Sequence, residues 1–81
     1  MNNILYNIET GAIYHQGAKY IISNKNIEVH NNSDVLLFIY GTFSNKNCKT
    51  ININNTIEDF ISIKYIYKDG NIELNPEYVE E

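Results

Sequence analysis

His15, His30 and Cys48 are the side chains of this 81-residue chain best suited to chemistry. With a carboxylate they make up the four N, S or O donors that a tetrahedral zinc ion takes. Their spacing argues against it: no two stand at Cys-x-x-Cys or His-x-x-x-His separation, so no metal site is expected. His15 shares a strand face with Leu5, Asn7 and Ile13 and reads as a half-buried histidine. The run His30-Asn31-Asn32-Ser33-Asp34 contains the residue types of a base, a nucleophile and an orienting acid. Triads assemble through the fold and are recognised by geometry, so closeness in sequence carries no weight. The segment reads instead as a loop whose Ser and Asp bond the local backbone. Lys46 and Lys49 flank Cys48 and would favour a thiolate, but without a base the thiol reads as an ordinary small residue. Glycines 11, 17, 41 and 70 are isolated, so no phosphate-cradling loop exists. No catalytic residue and no cofactor are expected, and the chain is not expected to be an enzyme.

The remaining functional side chains are seven tyrosines, which offer stacking platforms for bases. The charge opposes that use. The chain has no Arg, six Lys and a net charge of −4, too little positive charge to neutralise phosphates. Its balance is +1 over residues 1–57 and −5 over residues 58–81, where Lys64 and Lys68 face seven acids. That acidic third would suit imitation of a nucleic acid or plain solvation equally well. A single cysteine excludes an intrachain disulfide and fits a reducing cytoplasm. No basic leader precedes an apolar run, and the longest apolar run, residues 35–40, is far below the ~20 residues of a membrane span.

Short β-rich runs broken by turn residues must position these groups. The clearest is residues 62–76, SIKYIYKDGNIELNP. Asp69-Gly70 suits a type I′ turn, which needs positive φ at both central residues. A two-residue loop pairs Lys68 with Asn71, Tyr67 with Ile72 and Tyr65 with Leu74. It places Ile63, Tyr65, Tyr67, Ile72 and Leu74 on one face, directed at the core or a subunit interface. Lys64, Lys68 and Glu73 then face water. A three-residue loop would mix both faces. Pro76 stops the second strand.

Residues 3–8 and 12–16 read as a hairpin around Glu9-Thr10-Gly11, with Gly11 in the left-handed region and Ile4, Tyr6, Ile8, Ala12 and Tyr14 on one face. Residues 19–23 and 27–30 form a second hairpin around Asn24-Lys25-Asn26. Residues 35–40, Val-Leu-Leu-Phe-Ile-Tyr, are apolar throughout, which places them as a central strand with Leu37 and Phe38 both buried. Residues 49–54 alternate, with Ile51 and Ile53 inward. Ile57, Phe60 and Ile61 stand at helical spacing behind Thr56, so a short helical turn fits residues 56–61. The sum is one domain, residues 1–81. It is all-β, a small barrel or two-sheet sandwich of about seven to eight short antiparallel strands with at most one short helical turn.

Asn and Ile supply 28 residues, a bias that AT-rich codons explain. In size, in its Asn/Ile/Lys/Tyr bias and in lacking a catalytic signature, the chain resembles small proteins of phages that infect low-GC bacteria. That resemblance is one of style. It implies a protein-binding module in the host cytoplasm: an inhibitor of a host defence factor, or a small virion or tail assembly component. A small-ligand protein sequestering a nucleotide in a tyrosine-lined pocket is the alternative. A protein partner or self-association into a homo-oligomer is expected; nucleic acid and membrane are not. The interface residues expected are Tyr65 and Tyr67 on the hairpin and Glu77, Tyr78 and Val79 in the tail, where Tyr78 offers apolar area and a hydroxyl together; docking of the tail on its own domain is the alternative. Glu80 and Glu81 extend the polar rim of that tail.

Overall fold

The computed structural model describes residues 3–79, so Glu80 and Glu81 lie outside the described residues. The fold is all-β: eight short antiparallel strands in three sheets, with no helix among the described residues. β1 (Asn3–Asn7), β2 (Ile13–Gln16) and β6 (Cys48–Asn52) form one sheet in the order β2-β1-β6. β3 (Lys19–Ile22), β4 (Ile27–His30) and β5 (Leu36–Tyr40) form a second, in chain order, and β7 (Tyr65–Lys68) with β8 (Asn71–Leu74) is the third. The two three-stranded sheets pack face to face. Leu5, Ile27 and Cys48 meet between them, ringed by Tyr14, Tyr20, Ile22, Tyr40 and Phe43. Tyr14 and Phe43 stack at 4.4 Å between ring centres. Among the described residues neither three-stranded sheet closes on itself, and the arrangement is sandwich- or barrel-like.

β1 is the centre. Adjacent residues of a strand point to opposite faces, yet Ile4 and Leu5 both have 0% exposure. Leu5 faces the second sheet; the chain after β6 covers the Ile4 side. There Gln16 grips the backbone of Ile57: its Nε2 donates to the carbonyl at 2.7 Å, and the Ile57 N–H donates to Oε1 at 2.9 Å. The Ile63 and Tyr67 N–H groups donate to the carbonyls of Ile13 and Gly11, each at 2.8 Å, and Tyr6 meets Tyr67 at 5.0 Å. A bridge between Ala12 and Ile66 joins the hairpin to the β2 edge.

The β7–β8 hairpin has the register its sequence sets: Tyr65 opposite Leu74, Tyr67 opposite Ile72 and Lys68 opposite Asn71. Asp69 and Gly70 have φ of 51° and 83°, as a type I′ turn requires. Its faces are less clean than expected. Tyr65, Tyr67 and Ile72 are half-buried, but Ile63 and Leu74 are exposed. Ile63 sits at φ 65°, which costs a β-branched residue roughly 1–2 kcal/mol. Asn75 clamps the strained turn, its Nδ2 donating to the Ile63 carbonyl and its N–H to the Lys64 carbonyl. The turn re-phases the alternation, so Lys64 is sheltered and donates to Asp59 rather than facing water.

Four further expectations need correction. Residues 35–40 do not form a central strand: β5 is the last strand of its sheet, and Val35 to Ile39 are all exposed. In the first hairpin a bulge at Tyr14 pairs Tyr6 with Ile13. Tyr14 therefore joins the Leu5 side, and Ile8 is exposed. Residues 56–61 hold one turn, at Glu58-Asp59, in place of a helix, and Gln16 binds both backbone groups of Ile57. Ile51 is exposed, since β6 is an edge strand. The second hairpin keeps its expected residues, pairing Lys19 with His30 and Ile22 with Ile27.

Candidate functional site

The feature that sets one surface apart is the outer edge of β5. Val35, Leu36, Leu37, Phe38 and Ile39 are five consecutive apolar residues, each 40–55% exposed. The exposure has a topological cause. β4 pairs with β5 on one side; then the chain leaves through Gly41 to Asn47 for the other sheet, and among the described residues no strand returns to the free side. About half of the strand's backbone N–H and C=O groups therefore point away from β4. Phe38 turns inward, against the margin of the sandwich, with His15 at 5.6 Å and Tyr40 at 5.1 Å. Ile39 turns outward, in register with Glu28 and Ile21, so exposed Ile21 belongs to the same surface. A bulge sets Leu36 and Leu37 together opposite His30.

The charges around this surface are paired within the chain. Lys19 binds Asp34, which holds the Asp34 carboxyl below its ordinary range. His30 Nε2 lies 3.0 Å from Glu28 Oε1, and Nδ1 lies 3.2 Å from the Asp34 carbonyl. The Glu28 contact, first, and the Asp34 carbonyl raise the His30 pKa. Asn31 shapes the loop before β5, its Oδ1 accepting from the N–H of Ser33 at 2.8 Å and of Val35 at 3.0 Å. His30, Ser33 and Asp34 thus act as a structural loop, with Asn31 rather than Ser33 and Asp34 serving the local backbone.

The other candidate groups are scattered. His15 contacts the Tyr20 hydroxyl at 2.9 Å, and burial lowers its pKa. Cys48 lies in the core at the start of β6, not in a turn; burial raises its pKa, and it packs as the ordinary small residue its sequence reading gives. Among the described residues no three His, Cys, Asp or Glu gather as metal ligands, and no helix is long and apolar enough to cross a membrane.

Of the expected interface residues, the structure brings two together. Tyr65 and Tyr78 line a groove of about 610 Å³ with Asp59, Lys64, Leu74 and Asn75. The Tyr65 hydroxyl donates to Asp59 Oδ1 at 2.5 Å, and this bond, ahead of that from Lys64, lowers the Asp59 pKa. Tyr67 lies elsewhere, against Tyr6. Glu77 lines a separate cavity of about 410 Å³ beside Pro76. Asn75 curls the tail, its Oδ1 accepting from the Glu77 N–H and its carbonyl from the Tyr78 N–H. Val79 is 80% exposed. β5 was not among the expected interface residues, although its signal was present: an apolar run with no Lys, Pro or Gly to interrupt it. Comparison of the chain with protein-family models, with curated proteins and with solved structures gives no match.

Proposed function

We propose that this chain is a non-enzymatic protein-binding module whose docking face is the free edge of β5. One observation carries the reading: five consecutive apolar residues exposed along a strand edge whose backbone groups lack a neighbouring strand. Soluble proteins blunt such edges with charges, proline or a covering segment, because an open edge pairs with other chains. Strand addition uses that property for recognition: the ladder supplies affinity and alternate side chains supply selectivity. The likeness in style to small phage proteins extends the proposal to a phage-encoded inhibitor of a host defence factor, or a small assembly component, acting in the host cytoplasm. Nucleotide sequestration draws less support. Each of the four cavities described is lined by at most two tyrosines, and Tyr20 and Tyr40 pack against the inter-sheet core.

The test places a photo-crosslinking residue at Leu37 and, as a control, at Thr50 on the β6 edge, and exposes each full chain to a low-GC bacterial lysate. Discrete protein adducts at Leu37, competed by excess unlabelled chain and missing at Thr50, are expected. Equal labelling at both positions, or none at Leu37, would overturn the docking face.

A further inference from the structure

We infer that the occupant of the β5 edge is a second copy of this chain, paired antiparallel β5 to β5 so that two three-stranded sheets join into one of six. The inference rests on the reading of β5 as the docking face and names its partner.

The first support is the contrast among edges. β3 carries Lys19, β6 Lys49, β7 Lys68 and β8 Glu73, and the β2 edge is covered by residues 63–67. Among the described strands β5 alone is at once uncharged, uncovered and at an edge. Charge on the other edges is what blocks indiscriminate strand pairing. Its absence here leaves one pairing direction open.

The second support is charge matching. A twofold interface presents the same patch from both sides, so any charge on it meets its own kind or its near neighbour. Residues 35–40 carry none. Nearby, Lys19 is paired with Asp34, and Glu28 is held by a hydrogen-bond contact with His30. Such a surface gives a charged partner nothing to complement and gives its own copy nothing to repel. That matters for a chain of net charge −4, whose copies repel elsewhere.

The third is area. Even full burial of the exposed parts of residues 35–39, roughly 450 Å² per copy, gives about 900 Å² in all, in the range of weak, transient interfaces. A dimer that depends on concentration follows. Ile39, beyond the bulge, lies near the twofold axis in a pairing centred on residues 38–40, which makes it the position where an added charge faces its copy most closely.

Native mass spectrometry and sedimentation velocity of the full purified chain, over a concentration series from about micromolar to near-millimolar, test this. The mass should climb from 9.4 kDa toward twice that value. Ile39→Lys and Leu37→Lys should stay at the single-chain mass throughout with unchanged far-UV circular dichroism, and Thr50→Lys should dimerise like the parent. Amide exchange of the unsubstituted chain gives a readout independent of whether the variants fold: β5 amides should slow as concentration rises while β3 amides do not. A parent chain at single mass across the series, or lysine variants that keep the dimer, would overturn the inference. A single-mass chain whose Leu37 photoadducts hold a different protein overturns self-pairing and leaves the docking face standing; a chain with no Leu37 adducts loses the docking face itself.

Discussion

β1 and β5 are strands of equal length, and their sequences invite the opposite of what they do. β1, NILYN, has polar ends and reads as half-solvated, yet Ile4 and Leu5 are sealed on both faces. β5, LLFIY, has no polar residue beyond the Tyr40 hydroxyl and is the more exposed strand. Apolar character records what a strand would gain from cover; it does not supply the cover. β1 has β2 and β6 at its sides, the second sheet over one face and residues 57–67 over the other. β5 has β4 alone. An apolar strand left without cover in its own chain is where cover from another chain does most, and the protein-binding reading rests on that difference.

The sharpest way to break the comparison is to truncate one leucine from each strand. Leu5→Ala removes a fully buried side chain from the inter-sheet core and should cost about 3 kcal/mol. Leu37→Ala, at 53% exposure, should cost less than about 1 kcal/mol. Urea midpoints of the dilute chain measure both. Equal costs would mean that β5 is covered within its own chain.

The glycines beside the two strands give a smaller contrast. Gly11 has φ 80°, and an added Cβ would lie 2.6 Å from the Tyr67 carbonyl oxygen, which is backbone and cannot swing aside. Gly11→Ala should therefore cost about 2 kcal/mol, in the range for strained backbone. Gly41, at the end of β5, has open space around it, and Gly41→Ala should fall within about 0.5 kcal/mol of the parent.

The smallest effect is a pH dependence of opposite sign at the two histidines. Burial lowers the His15 pKa below 6.5, so its folded form resists protonation and its contribution is lost as pH falls below 6.5. The Glu28 contact raises the His30 pKa above 6.5, so its contribution is present below 6.5 and lost as pH rises through the folded value. The carboxylates held low, Asp34 and Asp59, lose their contributions only below about pH 4, outside that window. Acidification from about pH 7.5 to about pH 5.5 should lower the urea midpoint of His30→Asn, which isolates His15, and raise that of His15→Gln. The same direction in both variants would contradict the assigned environments.

What could be read from the sequence was what neighbours in the chain decide. The β7–β8 register follows from Asp69-Gly70 and the alternation beside it, and the β3–β4 hairpin from its polar Asn24-Lys25-Asn26 turn. What escaped depends on distant partners. The Tyr14 bulge leaves no mark in a run of alternating residues; it serves packing against Phe43. Thr56 to Ile61 has a helix-like beginning, but Gln16, 41 residues away from Ile57, takes that residue's backbone first. Cys48 looked like a turn thiol because its burial comes from Leu5 and Ile27, on two other strands. Of the five expected interface residues, two from the hairpin face and three from the tail, only Tyr65 and Tyr78 line one groove. β5 failed in a more instructive way. Its apolar run predicts internal cover, but the number of strands beside it is the deciding quantity.

Residue-resolved amide exchange on a dilute, single-chain sample tests the edge position of β5 most directly. β1 amides are bonded to strands on both sides and should be slow throughout Asn3–Asn7. β5 should show a two-residue alternation, with amides directed at β4 slow and those directed outward close to the rate of unstructured chain. Uniformly slow exchange along Leu36–Tyr40 at single-chain concentration would contradict the account, because it would place a covering strand inside the chain where the docking edge is assigned.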